Sequence, residues 1–183
     1  NHVTSITQRG CIYDSPNALN TKDQLQENIR GTALTYAPNP NFQLGIQAID
    51  YHYSHPIIPK PNYYNTLHFI GDKGYNLSTF GNLLYKNTHL FGEIGLAKNK
   101  QTAFLTGLML SLGKSLDTTI LLRHYPPDFH ALYGDPFGKN THKRNEQGLY
   151  IGIKLLPLHT LAITAYLDLF RHKTPQYNAH APT

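Results

Sequence analysis

The residue types that build a hydrolytic site are present in this chain, but no motif brings them together. Ser78 and Ser111 could act as nucleophiles. His89 could act as a base, with Asp117 as the group that orients it. A nucleophile and its base must lie within hydrogen-bonding distance, and the spacing of these residues matches no recognised catalytic motif. We therefore expect no catalytic residues and no enzyme activity.

Histidine pairs are the candidates for a metal site. His52 and His55 lie close together, but they have no carboxylate or cysteine partner at the spacing typical of metal ligands. His172 and His180 lie near the end of the chain. Cys11 is the single cysteine, so an internal disulfide cannot form. We expect neither a metal nor a cofactor.

Charged residues interrupt several segments in which apolar and polar residues alternate. Residues two apart in a strand point to the same side, so parity groups the charged residues with tyrosines on one face. Glu93 is expected to pair with Arg123, and Lys154 with Asp168. These residues either hold an interior together or line a path for a ligand. The candidates for lining a lumen are Glu93, Asp117, Arg123, Lys154, Asp168, Tyr150 and Tyr166.

A long loop is predicted between residues 126 and 147. Aromatic side chains between basic ones can stack on a nucleic-acid strand and neutralise it. Asp128, Asp135 and Glu146 offset the three basic residues of this loop, so its formal charge is zero. The loop is expected either to pack over or into the lumen, or to act as a gate or ligand contact. Its candidate contact residues are Phe129, Tyr133, Lys139, Lys143 and Arg144.

The elements that must position these residues are β-strands, because the alternation has a period of two. Every odd position from 149 to 155 is Leu or Ile, and the even positions hold Tyr150, Gly152 and Lys154. Residues 161–169 repeat the pattern. The predicted strands are 32–37, 42–53, 63–70, 75–85, 88–97, 102–111, 116–125, 148–156 and 160–171.

The predicted organisation is a polar N-terminal segment, residues 1–30, followed by a strand region, residues 31–183. Residues 21–30 are expected to form a short helix or a polar strand. Bacterial barrels have an even number of strands, whereas nine are predicted here. We therefore expect a partial barrel or a fragment of a longer chain.

The composition indicates what surrounds these strands. Charged residues make up 15% of the chain, whereas a soluble domain usually has about 25%. No apolar run approaches the roughly 20 residues of a transmembrane helix. The polar positions hold mostly glycine, threonine and tyrosine, while the opposite positions hold leucine and isoleucine. This pattern favours an all-β fold, an antiparallel transmembrane β-barrel of up-and-down hairpins. The alternative is a soluble β-sandwich that serves as a binding module.

The chain contains an ordered series of short segments at 63–71, 90–93, 122–125, 128–134 and 145–152. In this order they resemble the barrel region of Bacteroidota outer-membrane proteins that carry an N-terminal helix-hairpin-helix segment. The resemblance covers roughly residues 60–180.

The resemblance implies an integral protein of the bacterial outer membrane with a structural, transport or assembly role in a larger protein or complex. Its expected partners are outer-membrane lipid or lipopolysaccharide and other outer-membrane subunits. The helix-hairpin-helix segment resembles modules that bind DNA in uptake systems, so DNA uptake is the alternative function. The net charge of +5 fits an anionic partner, although a chain can also be basic without one.

Overall fold

The computed structural model describes residues 2–4, 15–20, 22–131, 133–139, 144–158 and 160–175. These residues form an all-β fold with one antiparallel sheet, whose strand order follows the chain from β1 to β8. A short helix, α1 (Pro16–Asn20), precedes the sheet. The strands are β1 (Glu27–Asn39), β2 (Phe42–Ile57), β3 (Gly71–Tyr85), β4 (Thr88–Ala97), β5 (Thr102–Leu112), β6 (Leu116–Tyr125), β7 (Glu146–Leu158) and β8 (Leu161–Arg171).

The register of the sheet confirms the prediction of antiparallel up-and-down hairpins. Directly paired residues lie on the same face of a sheet. The apolar face is the side whose central row is Leu90, Leu108, Ile120, Ile151 and Leu167. The polar face is the side on which Glu93, Leu105, Arg123 and Gly148 form a row.

The sheet is open at both edges. β1 pairs only with β2 and β8 pairs only with β7, and these two edge strands do not contact each other. Both edges therefore carry backbone groups available for pairing. No helix in the described part of the chain is long and apolar enough to cross a membrane.

The segment 63–70, predicted as a strand, forms turns. The backbone N–H of His68 donates to the carbonyl of Asn65 over 3.0 Å. The side-chain oxygen of Asn65 accepts from the N–H of Asn62 over 2.7 Å. Such local bonds from asparagine compete with the hydrogen bonds of a sheet. The prediction of nine strands is therefore wrong for the described residues, which contain eight.

Three strands begin earlier than the sequence predicts, and one of them is β7, which starts at Glu146 rather than at residue 148. β1 starts at Glu27, inside the predicted polar segment, and Glu27 pairs with Tyr53. β3 starts at Gly71, although Gly71 and Gly74 are typical of a turn. Gly74 instead lies directly across from Tyr51, whose ring occupies the space that a Cβ on Gly74 would need. This glycine permits close approach of a neighbouring side chain within the sheet.

We predict that Gly74→Ala lowers the free energy of unfolding by about 1–3 kcal/mol, because overpacking forces a buried group to move. Tyr51 is only 1% exposed and cannot shift freely. Gly81→Ala, in the same strand, is the control, since its Cβ would meet its nearest atom at 3.7 Å. Chemical denaturation should place the control within about 0.5 kcal/mol of the parent chain. Equal effects of both substitutions would contradict the close packing of Tyr51.

The buried core lies on the polar face, at the end of the sheet where the connection 58–70 links β2 to β3 and the connection 126–145 links β6 to β7. Both of its clusters are rich in tyrosine and phenylalanine. One cluster contains Ala97, Ala103, Tyr125 and Phe129. The other contains Tyr51, Tyr53 and Ile57, with Leu25 and Phe69 packed against it. The apolar face, by contrast, stays exposed: Ile46 is 57% and Leu167 is 51% exposed.

Candidate functional site

Arg123 is the centre of a charged cluster on the polar face. Its Nε donates to Oε1 of Glu146 over 2.5 Å, and its Nη2 donates to Oδ1 of Asp168 over 2.8 Å. The Arg123 side chain is fully buried and that of Glu146 nearly so, whereas Asp168 is partly exposed. The Phe137 ring lies 5.2 Å from the guanidinium carbon, within the range of a cation–π contact. The cluster therefore joins three strands, β6, β7 and β8, to the loop.

Gly148 makes room for this cluster. It pairs directly with Arg123 across β6 and β7. A Cβ on Gly148 would lie 2.5 Å from the guanidinium carbon, so no larger residue fits beneath the Arg123 side chain.

Glu146 also fixes the neighbouring loop. Its carboxylate accepts from the backbone N–H of Lys139, at 3.1 and 3.0 Å. Nε2 of His172 lies 4.0 Å from Oε2 of Glu146. One carboxylate thus orients a strand residue, the loop and the segment after β8. A carboxylate with several charge-assisted bonds is a rigid anchor, and the contacts favour a structural role for it.

The ion pairs expected from the sequence are wrong. Arg123 pairs with Glu146 and Asp168 rather than with Glu93. Glu93 accepts from Nε2 of Gln47 over 2.8 Å. Lys154 lies in register with Asp117 and Thr164 rather than with Asp168. The physical reason is register, since Asp168 lies directly opposite Tyr150 and within reach of the Arg123 fork.

The remaining lumen candidates also lie on the polar face, and among them Tyr150 borders the cluster, with its ring centroid 5.3 Å from that of Phe137. Asp117 is near the opposite end of the sheet and accepts from Oγ of Ser111 over 2.7 Å. Tyr150 and Tyr166 stack with ring centroids 6.0 Å apart. The seven candidates therefore share one face, and only Arg123 and Asp168 among them form an ion pair within the described residues.

The loop candidates are mostly engaged with the protein itself. Phe129 is buried against Ala97 and Ala103, so its ring cannot stack on a base without leaving the core. The Tyr133 hydroxyl lies 3.2 Å from that of Tyr53. Nη1 of Arg144 donates to the carbonyl of Leu67 over 3.1 Å. Lys139 contributes its backbone N–H to Glu146. Lys143, like Cys11 and His180, lies outside the described residues.

Burial changes the acid–base behaviour of two loop residues. It lowers the pKa of His130, and the positive charge of Arg144 lowers that pKa further. Burial also lowers the pKa of Arg144 to about 10. At neutral pH we therefore expect His130 to be neutral and Arg144 to remain charged. The rings of Phe69 and His130 pack in a T-shaped arrangement with centroids 5.8 Å apart.

A cavity of about 740 Å³ separates the polar face from the first half of the loop. The lining includes Gln47 of β2, Ser78 of β3 and Glu93 of β4, and the loop supplies Phe129 and Tyr133. This volume lies within the range of pockets that hold small organic ligands. The cavity, unlike the Arg123 cluster, has room for a ligand.

Four residues of the site are missed or misread in the sequence. Glu146 has the parity of Gly148 and Tyr150, and this signal could have placed it on the polar face. Asn145 is buried with a φ of 57°, and its side-chain oxygen accepts from the N–H groups of Lys173 and Thr174 at 2.9 and 3.0 Å. The sequence pattern gives no indication of a role for Gln47 or Phe137. Gln47 has one because it contacts Glu93, and Phe137 because it contacts Arg123.

The class of protein is thus an all-β protein with a single antiparallel sheet, one exposed apolar face and one polar face covered by a folded loop. No family model matches the chain, and no curated protein or solved structure matches it either. The class therefore follows from the fold and the geometry of its two faces.

Proposed function

We propose that the chain is part of an integral β-barrel of the bacterial outer membrane, with a structural, transport or assembly role. The observation that carries the proposal is the exposed apolar face. Soluble monomers rarely expose a contiguous apolar patch of more than a few hundred Å². Here one row of leucine and isoleucine extends without interruption from β3 to β8, through Leu83, Leu90, Leu108, Ile120, Ile151 and Leu167, and Phe42 continues it into β2. Acyl chains would cover such a face.

The distribution of charge on the apolar face supports the proposal. In β3 to β8 this face carries a formal charge only at Lys73 and Arg171. In β1 and β2 it carries one only at Arg30 and Asp50, which lie opposite each other in the strand register. All four lie near the end of the sheet where the long connections cross. Charge on a lipid-facing strand costs least near the membrane surface and most at the midplane.

Strand length supports the same proposal. The strands are between 10 and 16 residues long, and about 9–11 tilted residues cross a bilayer. The open edges of β1 and β8 would pair with further strands, either from a longer chain or from another outer-membrane subunit. The resemblance to helix-hairpin-helix outer-membrane proteins stays a prediction, as does the DNA-uptake role it implies.

The test is whether the purified chain stays in solution once detergent is removed. We expect it to aggregate without lipid, to float with phospholipid vesicles in a density gradient and to resist extraction by alkaline carbonate. These results would follow from burial of the apolar face in acyl chains. A chain that stays monomeric in detergent-free buffer would exclude the membrane proposal and favour the β-sandwich-like binding module.

A further inference from the structure

We propose that the cavity beneath the loop binds a small organic cation with an apolar body. The inference requires only the described fold, and it does not depend on the membrane proposal. It follows from the cavity's charge, its unused polar atoms and its aromatic wall.

The charge of the cavity is opposite to that of the whole chain. Its described lining contains two carboxylates, Glu93 and Asp135, and no lysine, arginine or histidine. The chain itself has a net charge of +5. A cavity whose walls carry one sign of charge raises the local concentration of the opposite ion. The occupant is therefore a cation and not an anion such as a phosphate.

Glu93 is the carboxylate available to hold that cation. The other carboxylates of the region, Glu146 and Asp168, are committed to Arg123. Within the described residues Glu93 forms no ion pair, and its hydrogen bond to Gln47 uses Oε1 alone. Its second oxygen, Oε2, is thus open to an ammonium group, and the Gln47 amide holds the carboxylate in place.

Ser78 supplies a second polar atom beside Glu93. Its Oγ is buried and has no hydrogen-bond partner among the described residues. A buried hydroxyl without a partner is costly, and a ligand N–H or O–H would satisfy it. Ser78 pairs with Gly95 across β3 and β4, and Gly95 is two residues from Glu93 on the same face. The two groups are therefore close enough to bind one polar head.

The rest of the wall accommodates an apolar body. Phe129, Tyr125 and Leu105 line it together with the methyl group of Ala103. The face of an aromatic ring attracts a cation and also packs against apolar groups. Leu105 lies directly opposite Glu93 in the sheet, so the carboxylate and the apolar wall are adjacent. A ligand with a charged head and a short aromatic or aliphatic tail fits this arrangement.

The experiment is calorimetric titration of the full chain, in a non-ionic detergent, with 4-phenylbutylammonium and with 4-phenylbutan-1-ol as its neutral match. We expect the ammonium to bind at least about tenfold more tightly than the alcohol, a difference of about 1.4 kcal/mol. Glu93→Gln keeps the acceptor for Gln47 but removes the charge, so it should abolish the preference. Asp117→Asn, a carboxylate on the same face outside the cavity, should leave the preference unchanged.

Three outcomes would overturn the inference. The first is the absence of binding by the ammonium, and the second is equal affinity for ammonium and alcohol in the parent chain. The third is a preference that survives Glu93→Gln or is lost equally in Asp117→Asn. The comparison of the two probes needs no variant, so it remains decisive even if a substitution impairs folding. Solubility without detergent would reject the membrane proposal and leave this result unaffected.

Discussion

Replacing Arg123 with methionine should lower the free energy of unfolding by about 3–5 kcal/mol, the usual cost of removing one partner from a buried ion pair. The substitution leaves the Glu146 carboxylate, whose side chain is 2% exposed, without its guanidinium. Methionine fills much of the same volume but donates no hydrogen bond. The cost is therefore one of uncompensated charge more than of lost packing. Denaturant titration of the chain in micelles or vesicles would measure it.

Arg171→Met is the matched control for this substitution. Arg171 donates two hydrogen bonds to Oε1 of Gln147, at 3.0 and 2.7 Å, in an exposed position near the end of β8. Exposed polar contacts of this kind contribute about 1 kcal/mol or less. A comparable loss in both variants would mean that burial of the Arg123 cluster adds nothing to its strength.

A compensating variant separates charge from shape. Glu146→Gln and Asp168→Asn, added to Arg123→Met, remove the stranded charges, while the amide oxygen introduced at position 146 can still accept from Lys139. Replacing a buried ion pair by neutral groups is often close to neutral. We therefore expect the triple variant to recover most of the stability lost in Arg123→Met. A triple variant less stable than the single one would show that the carboxylates stabilise the fold without Arg123.

The faces of the sheet could be predicted from the sequence because alternation is a local property. Leu149 and Ile151 are two residues apart in any extended strand, so their shared face follows without tertiary information. Hairpins between consecutive strands follow from the short turns. The eight strands observed correspond to eight of the nine predicted. The exception, 63–70, fails because the side-chain oxygens of Asn65 and Asn62 accept hydrogen bonds from the backbone N–H groups of Asn62 and Tyr63.

The partners within each face could not be predicted in the same way. Arg123 pairs with Glu146 because β7 begins two residues earlier than the pattern indicates. This earlier start places Glu146 directly opposite Tyr125, which is two residues from Arg123 on the same face. The cavity is still harder to predict from the sequence, because it depends on how the loop folds back over β1 to β5. Phe129 forms its roof and part of the core, and a loop residue carries no periodic signal for burial.

Ile153→Arg should destabilise the chain in a phospholipid bilayer by about 2–4 kcal/mol, because the residue lies midway along β7 on the apolar face. Ile153 is 43% exposed, so water around this face would make the same substitution nearly neutral, within about 0.5 kcal/mol. The two surroundings therefore predict different results for one variant. Reversible unfolding from vesicles in denaturant would measure the difference.

Leu158→Arg is the control that tests whether the cost of an arginine depends on its depth in the membrane. Leu158 is more exposed than Ile153, at 64%, and lies at the end of the same strand beside the turn into β8. Arginine near the membrane surface costs only about 0–1 kcal/mol, so a bilayer predicts a large effect at 153 and a small one at 158. Lys154, the next residue on the polar face, already bears a charge at nearly the same depth. If arginine at 153 costs no more than at 158, acyl chains do not cover the apolar face, and water surrounds it instead.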